Sequence, residues 1–321
     1  MRFFLFEKKF HTQMEVFEPI NVSDFGNSSP AKHDGNTTSL CTWYLPPFEW
    51  LKLVTLFAGV AGNGLTVVAI ATDRKLHTKT YATIAAIAVA DCVYCTMAVL
   101  WSTLLFAYLD YSNYRQYRKC INDFLFLLMN TVVAVLFSAS YLASSLSISL
   151  LSIVRFVILS LPLKANTILR KSSLVFIIIL IWFFSIALAV CKNIPLQSIS
   201  RKNINLVDVF FTFIVPLLTI IIFHGMKIFT LKQSEYRKTE VKKMERLVVA
   251  IILLFFVCNL PWQVLRLLAQ YKVFVPGYLL QTTMGYLLQF NNCVNPVFYA
   301  FLSPRIRHSI CILFCRFRAN Q

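Results

Sequence analysis

The chain has 321 residues, 58% of them hydrophobic and 14% charged, with a net charge of +17. Soluble domains carry about 25% charged residues, so this composition excludes an ordinary soluble enzyme and a disordered chain alike. The 31 Lys and Arg lie in short clusters between long apolar runs, which is the pattern of loops beside a membrane and not of a nucleic-acid-binding face.

Residues 1–47 read as an extracellular glycosylated segment. Asn21, Asn27 and Asn36 each open an Asn-x-Ser/Thr triplet, the acceptor pattern for N-glycosylation. The opening ten residues lack the apolar core of a signal peptide, so the first span is expected to serve as the insertion signal. A helix needs roughly 20 apolar residues to cross a bilayer. Residues 53–72 supply twenty without a charge and contain Gly62 and Asn63. Residues 80–109 hold a single charged side chain, Asp91, which follows Ala88, Val89 and Ala90. Residues 124–154 form a charge-free run of thirty-one, long enough to be tilted or to project beyond the bilayer. It ends at Val154, with Arg155 and Phe156 next and Pro162 seven residues after Arg155. Residues 172–191 supply twenty more, including Trp182, and residues 209–226 eighteen, including Pro216. Residues 247–265 give nineteen and carry Cys258, Asn259, Leu260 and Pro261. Residues 273–304 form the last run, with Asn295, Pro296, Val297, Phe298 and Tyr299 in succession.

Beyond that run, basic and apolar residues recur at helical spacing from Arg305 onward, which reads as an amphipathic helix on the membrane surface. Cys311 and Cys315 within it are candidates for palmitoylation. The predicted fold is an all-α membrane protein: a seven-transmembrane helix bundle over residues 48–302 and an amphipathic C-terminal helix and short tail over 303–321. Beyond Pro304, Ser309 is the single hydroxyl, so regulation by phosphorylation there is not expected.

Orientation follows from Lys and Arg. With the N-terminus outside, the cytoplasmic side holds 18 bases against 4 acids and the other side 13 against 9. The excess is +14 inside and +4 outside, which predicts a multi-pass protein of the plasma membrane with an external N-terminus. The loops are too short for a soluble catalytic domain. The five His are scattered and no Gly-rich phosphate loop is present, so no enzyme is expected. No internal repeat of the transporter kind is apparent.

Taken together, Gly62-Asn63, Ala88 to Asp91, Arg155 with Pro162, Trp182, Pro216, Pro261 and the Asn295-Pro296-Val297-Phe298-Tyr299 run resemble a rhodopsin-like (class A) G protein-coupled receptor over about residues 50–315. The resemblance implies an extracellular ligand, a heterotrimeric G protein as partner, no cofactor, and activation by outward movement of the sixth helix. Arg155, Phe156, Pro162, Asn259, Pro261, Pro296 and Tyr299 would form the switch and the G-protein contact. Pro261 and Pro296 each delete a helix hydrogen bond and bend their spans, which fits a two-state element as well as ordinary membrane-helix architecture.

A charged group at the bilayer centre costs about 2.5–3.5 kcal/mol, so Asp91 needs a partner. The resemblance implies an allosteric Na⁺ held by Asp91 with Ser144, Asn291 and Asn295. The alternative is that Asp91 hydrogen-bonds Asn63 and Asn295 and ties three helices together. By family position the ligand pocket would be lined by Trp101, Phe137, Asp208, Gln263, Arg266, Gln281 and Gln289. Phe137 stands where amine receptors carry an aspartate, and Gln289 where opsins carry the retinal lysine, so neither ligand class is expected. The resemblance is strongest in character to peptide receptors; Arg266 and Asp208 would take opposite ends of a peptide, or else snorkel outward or pair with each other.

Several positions depart from the family. Val154 replaces the acid beside Arg155, Val241 stands at the usual helix-six acid, and Asn259 replaces a tryptophan. Two readings follow: a resting state less restrained, so that Val154→Asp lowers basal signalling, or an atypical receptor that binds ligand with weak or no coupling. The family's cysteine at the top of the third helix falls on Asn130. Cys120 lies ten residues earlier, so a Cys120–Cys191 or a Cys41–Cys120 bridge is open.

Overall fold

The computed structural model describes residues 47–113, 123–194, 200–232 and 240–319. The predicted glycosylation sites Asn21, Asn27 and Asn36, together with Cys41 and Cys120, lie outside the described residues. So does nearly all of the expected N-terminal segment.

The long apolar runs fold as helices because a backbone without water must satisfy every N–H and C=O internally. Among the described residues α1 spans Pro47–Thr72, α2 Lys79–Asn113, α3 Asp123–Ser160 and α4 Lys171–Asn193. The fifth span, α5, is composite: Arg201–Val209, a π-helical turn Phe210–Ile214, then Val215–Lys232. Glu240–Gln270 forms α6, Tyr278–Leu302 α7 and Pro304–Ala319 α8. The helices belong to one compact unit, Leu45–Gln321. The end of the bundle where α1 begins is called the upper end below.

Six of these helices are long and apolar enough to cross a membrane: Trp50–Thr72, Lys79–Thr103, Leu128–Ser160, Lys171–Asn193, Lys202–Met226 and Ile252–Gln270. The expected seventh, α7, is 25 residues long but carries Gln281, Gln289, Asn291, Asn292 and Asn295. These amides dilute its apolarity, and α7 therefore falls below the hydropathy of the other six.

Burial separates the helices by role. In α3, 72% of the apolar stretch is buried, against 17% in α4, so α3 is the central post and α4 is exposed on most sides. At 38 residues α3 is about 57 Å long at 1.5 Å per residue, well beyond the hydrocarbon core, as its thirty-one-residue run implies. Below the midplane one apolar cluster joins Ile70, Tyr81, Ile148, Phe213, Phe255, Tyr299 and Ile306, drawing on α1, α2, α3, α5, α6, α7 and α8. Above it Leu56, Tyr94, Cys95, Tyr141 and Cys293 form a second.

The π turn in α5 has a local cause. Pro216 has no N–H to donate and its ring crowds the preceding turn. The N–H of Val215 bonds the carbonyl of Phe210 five residues back, widening the turn just ahead of the proline. Such turns recur at functional sites, and this one lies directly beneath Asp208.

At the lower end α8 is fastened to the α1–α2 connection. Ile306 is fully buried, the Ser309 hydroxyl donates to Asp73 Oδ2, and Lys75 N–H donates to Asp73 Oδ1 at 2.9 Å. Ser309 is itself buried, which removes from solvent the hydroxyl singled out by the sequence. The Ser309 and Lys75 donors hold the Asp73 carboxyl below its ordinary value of 3.8. A depressed carboxyl stabilises the fold above its unfolded pKa and loses that contribution as pH falls through the folded value. The α8 amides are therefore expected to keep their hydrogen-exchange protection down to about pH 4 and to lose it at lower pH, with Ser309→Ala removing most of that dependence.

Candidate functional site

Three polar layers are stacked inside an otherwise apolar bundle. The deepest surrounds Asp91, which is fully buried in α2. Ser144 of α3 donates to its Oδ1 at 2.6 Å, and Asn295 Nδ2 of α7 donates to its Oδ2 at 2.7 Å. The carboxylate thus ties α2, α3 and α7 together. Asn63 does not join it: its Nδ2 donates to the carbonyls of Gly59 at 3.0 Å and Asn292 at 2.9 Å. The expected Asn63–Asp91 contact is replaced by a direct α1–α7 tie. This tie needs close helices, and Gly59 and Gly62 provide the room. A Cβ on Gly62 would stand 2.8 Å from Cβ of Pro296, and one on Gly59 2.7 Å from Sγ of Cys95.

Around this layer the Oδ1 atoms of Asn63, Asn291 and Asn295, both amide atoms of Asn292 and the Tyr299 hydroxyl are buried without a protein partner. Such a group of atoms is rare in a native interior unless water or an ion completes it. Among the described residues no three His, Cys, Asp or Glu side chains converge. A cation here would rest on one carboxylate and neutral oxygens, a donor set suited to a hard monovalent ion. Ser144 and Asn295 touch Asp91, and Asn291 is buried on the same helix one turn before Asn295.

The middle layer was not legible in the sequence. Tyr141 of α3 donates its hydroxyl to Asn259 Oδ1 at 2.6 Å and accepts from Gln263 Nε2 at 3.2 Å. Asn259 Nδ2 is bound to the Phe255 carbonyl at 2.6 Å, and Gln263 also reaches Thr212 Oγ1 at 3.5 Å. Asn259 lies below Pro261 and Gln263 above it, so one phenol spans the proline of α6. A tyrosine in an apolar run carries no signal of this role.

The upper layer joins α4, α5 and α6. Asp208 Oδ2 receives Lys192 Nζ at 2.9 Å and Arg266 Nη1 at 2.5 Å, while Arg266 Nη2 donates to Asn205 Oδ1 at 2.9 Å. Asp208 and Arg266 therefore pair with each other, the last of the three alternatives left by the sequence, and Lys192 joins them. Phe137 stacks on Tyr94 with ring centroids 4.4 Å apart. Trp101, Gln281 and Gln289 are half-buried on α2 and α7, and Gln289 Oε1 is buried without a partner.

At the lower end Val154 is fully buried among Leu150, Val157, Ala165, Leu169 and Leu174. The residue replacing the family's acid is thus a packing residue, and an aspartate there would bring a carboxyl into apolar surroundings, a cost the sequence did not reveal. Arg155 is half-buried beside it, Phe156 packs on Phe223 at 5.4 Å, and Pro162 is exposed in the turn that follows α3. The side chain of Val241 lies outside those described. Pro261 and Pro296 sit inside α6 and α7, and Tyr299 is fully buried. Cys191 is a free thiol and half-buried, while Cys311 and Cys315 are exposed on α8.

Comparison with known proteins identifies the family. Residues 62–299 match the family described as 7 transmembrane receptor (rhodopsin family). The growth hormone secretagogue receptor type 1 of Mustela putorius furo is 25% identical over 91% of this chain and 88% of its own length. The C-C chemokine receptor type 1 of Macaca fascicularis is 25% identical over 94% of this chain and 88% of its own length. For the allatostatin-A receptor of Bombyx mori the figures are 24%, 78% and 74%.

Proposed function

The chain belongs to the rhodopsin family of seven-transmembrane receptors, and from that premise we propose that it binds an extracellular peptide and activates a heterotrimeric G protein by outward movement of α6. A member of this family is a multi-pass membrane receptor and signal transducer, not an enzyme. The upper end faces outward at the plasma membrane in this reading, as the distribution of Lys and Arg supports. Trp101, Phe137, Asp208, Gln263, Arg266, Gln281 and Gln289 line the ligand site, and Arg155 with Phe156 meets the G protein.

One observation carries the proposal: the hydrogen-bond chain from the backbone carbonyl of Asp208 through the Thr212 hydroxyl and Gln263 to Tyr141 and Asn259. It runs from the upper mouth to the segment of α6 below Pro261, so a ligand that disturbs the mouth can bias the lower half. The peptide reading draws further on relatives named for a growth hormone secretagogue, C-C chemokines and allatostatin-A. Below this chain, Na⁺ held by Asp91, Ser144, Asn291 and Asn295 would stabilise the resting arrangement by supplying the charge that offsets the carboxylate. Cys311 and Cys315, exposed on an amphipathic helix, suit lipid attachment.

The test is nucleotide exchange on a panel of G proteins, driven by a peptide library in receptor-containing membranes. A peptide that accelerates exchange at least several-fold is the expected result, with weaker agonist binding in NaCl than in KCl. Saturable peptide binding without exchange on any G protein would favour the atypical, non-coupling receptor, a reading that the packing role of Val154 keeps in view.

A further inference from the structure

The upper layer holds one anion and two cations in a partly dry place. Lys192 and Arg266 converge on the same oxygen, Oδ2 of Asp208, so the cluster carries one uncompensated positive charge. Among the described side chains Asp208 is the sole carboxylate at the upper end. Its own side chain is 6% exposed, whereas those of Lys192 and Arg266 are 26% and 19% exposed. The cations are thus the exposed members of the cluster and the carboxylate the buried one. Lysine has three N–H donors and arginine five, and Asp208 and Asn205 take only part of that supply.

A second observation fixes what else the site wants. Gln263 lies three residues before Arg266 on α6, so both occupy one face of the helix. It is 2% exposed, its Nε2 is committed to Tyr141 and Thr212, and its Oε1 is buried without a partner. A buried acceptor left open one helical turn from Arg266, which shares Asp208 with Lys192, calls for a ligand N–H close to a ligand anion. An amine ligand meets the opposite of what it needs, because the carboxylate is already shared by two cations and the remaining charge is positive.

We propose that this layer is an acid-recognising subsite that takes the free C-terminus of a peptide, its carboxylate between Lys192 and Arg266 and its last backbone N–H on Gln263 Oε1. The inference rests on the peptide-receptor reading above and names the end of the peptide that enters. Asp208 then acts as an internal stand-in for the ligand's acid: it holds the two cations in place when the site is empty and competes with the ligand when it binds. Charge-assisted bonds of this kind are the strong ones in a partly dry pocket. The same occupancy bears on the hydrogen-bond chain, because drawing Arg266 toward the ligand loosens its hold on Asp208 and hence on α5.

The experiment measures the melting temperature of the purified full chain in detergent, with millimolar N-acetyl-phenylalanine as the probe for a free C-terminus. N-acetyl-phenylalanine amide and phenethylamine are the controls. The acid is expected to raise the melting temperature by about 3 °C and the two controls by none. In Lys192→Gln the remaining Asp208–Arg266 pair is neutral and the receptor keeps its main ion pair, so the rise should vanish. In Asp208→Asn the internal competitor is gone and the rise should grow. Absence of any rise with the acid, an equal rise with the amide, or a rise that survives Lys192→Gln overturns the proposal. The readout does not require coupling: a probe effect without peptide-driven exchange leaves the subsite standing and removes only the G-protein-coupling reading, whereas peptide-driven exchange without a probe effect removes only the subsite.

Discussion

Replacing Tyr141 by phenylalanine is expected to raise ligand-independent nucleotide exchange about fivefold to tenfold at equal surface expression. The hydroxyl donates to Asn259 at 2.6 Å and accepts from Gln263 at 3.2 Å, on either side of Pro261. Outward movement of the lower half of α6 about that proline carries Asn259 away from α3, so the Tyr141–Asn259 bond must break on activation. A buried hydrogen bond contributes about 1 kcal/mol net, and orphaning its partner adds to the effect of losing it. A bias of that size shifts a two-state equilibrium by close to an order of magnitude. The phenyl ring of the variant still fills the space beside Tyr94, which stands 6.1 Å away centroid to centroid, so loss of folding is not the expected outcome. Basal exchange equal to that of the parent protein would show that α6 is restrained elsewhere.

Replacing Gly62 by alanine should lower the melting temperature of the purified protein by roughly 5–10 °C, from about 2 kcal/mol of overpacking. The added Cβ meets Cβ and Cγ of Pro296 at 2.8 and 2.9 Å. A proline ring cannot rotate aside as a flexible side chain would, so α1 or α7 must shift. Either shift pulls on Asn63, whose amide holds the Asn292 carbonyl, and disturbs the layer around Asp91. Gly64→Ala is the control: nothing lies within 4 Å of a Cβ there, and alanine is the better helix former by about 1 kcal/mol. If both variants melt alike, the close approach of α1 to α7 contributes nothing to stability.

Some of this was readable in the chain alone, and the reasons are specific. Helix number and direction follow from where charge is excluded, because water is absent from the bilayer core and every polar backbone group must be paired within its own segment. Asp91 announced itself as a buried charge needing partners; of the four positions named around it, Asn63, Ser144, Asn291 and Asn295, the structure hydrogen-bonds Ser144 and Asn295 to its carboxylate and turns Asn63 away. Arg266 and Asp208 could be placed near the mouth by their positions along the spans, but whether they faced a ligand, the surface or each other could not, since that depends on rotation of three helices about their own axes.

What the amino-acid sequence determined by itself was the set of membrane-length helices, their alternating directions and the family they belong to. Periodicity and charge exclusion are properties of each segment taken singly. Only the tertiary structure decided the pairings: Lys192 sharing Asp208 with Arg266, Tyr141 bridging the proline of α6, Asn63 turning from Asp91 to Asn292, and Ser309 closing on Asp73 across 236 positions of chain. Each is a contact between segments separated in sequence, fixed by how the helices pack, which for Asn63 and Asn292 is the close approach allowed by Gly59 and Gly62, and by which polar atoms then had no water left to bind.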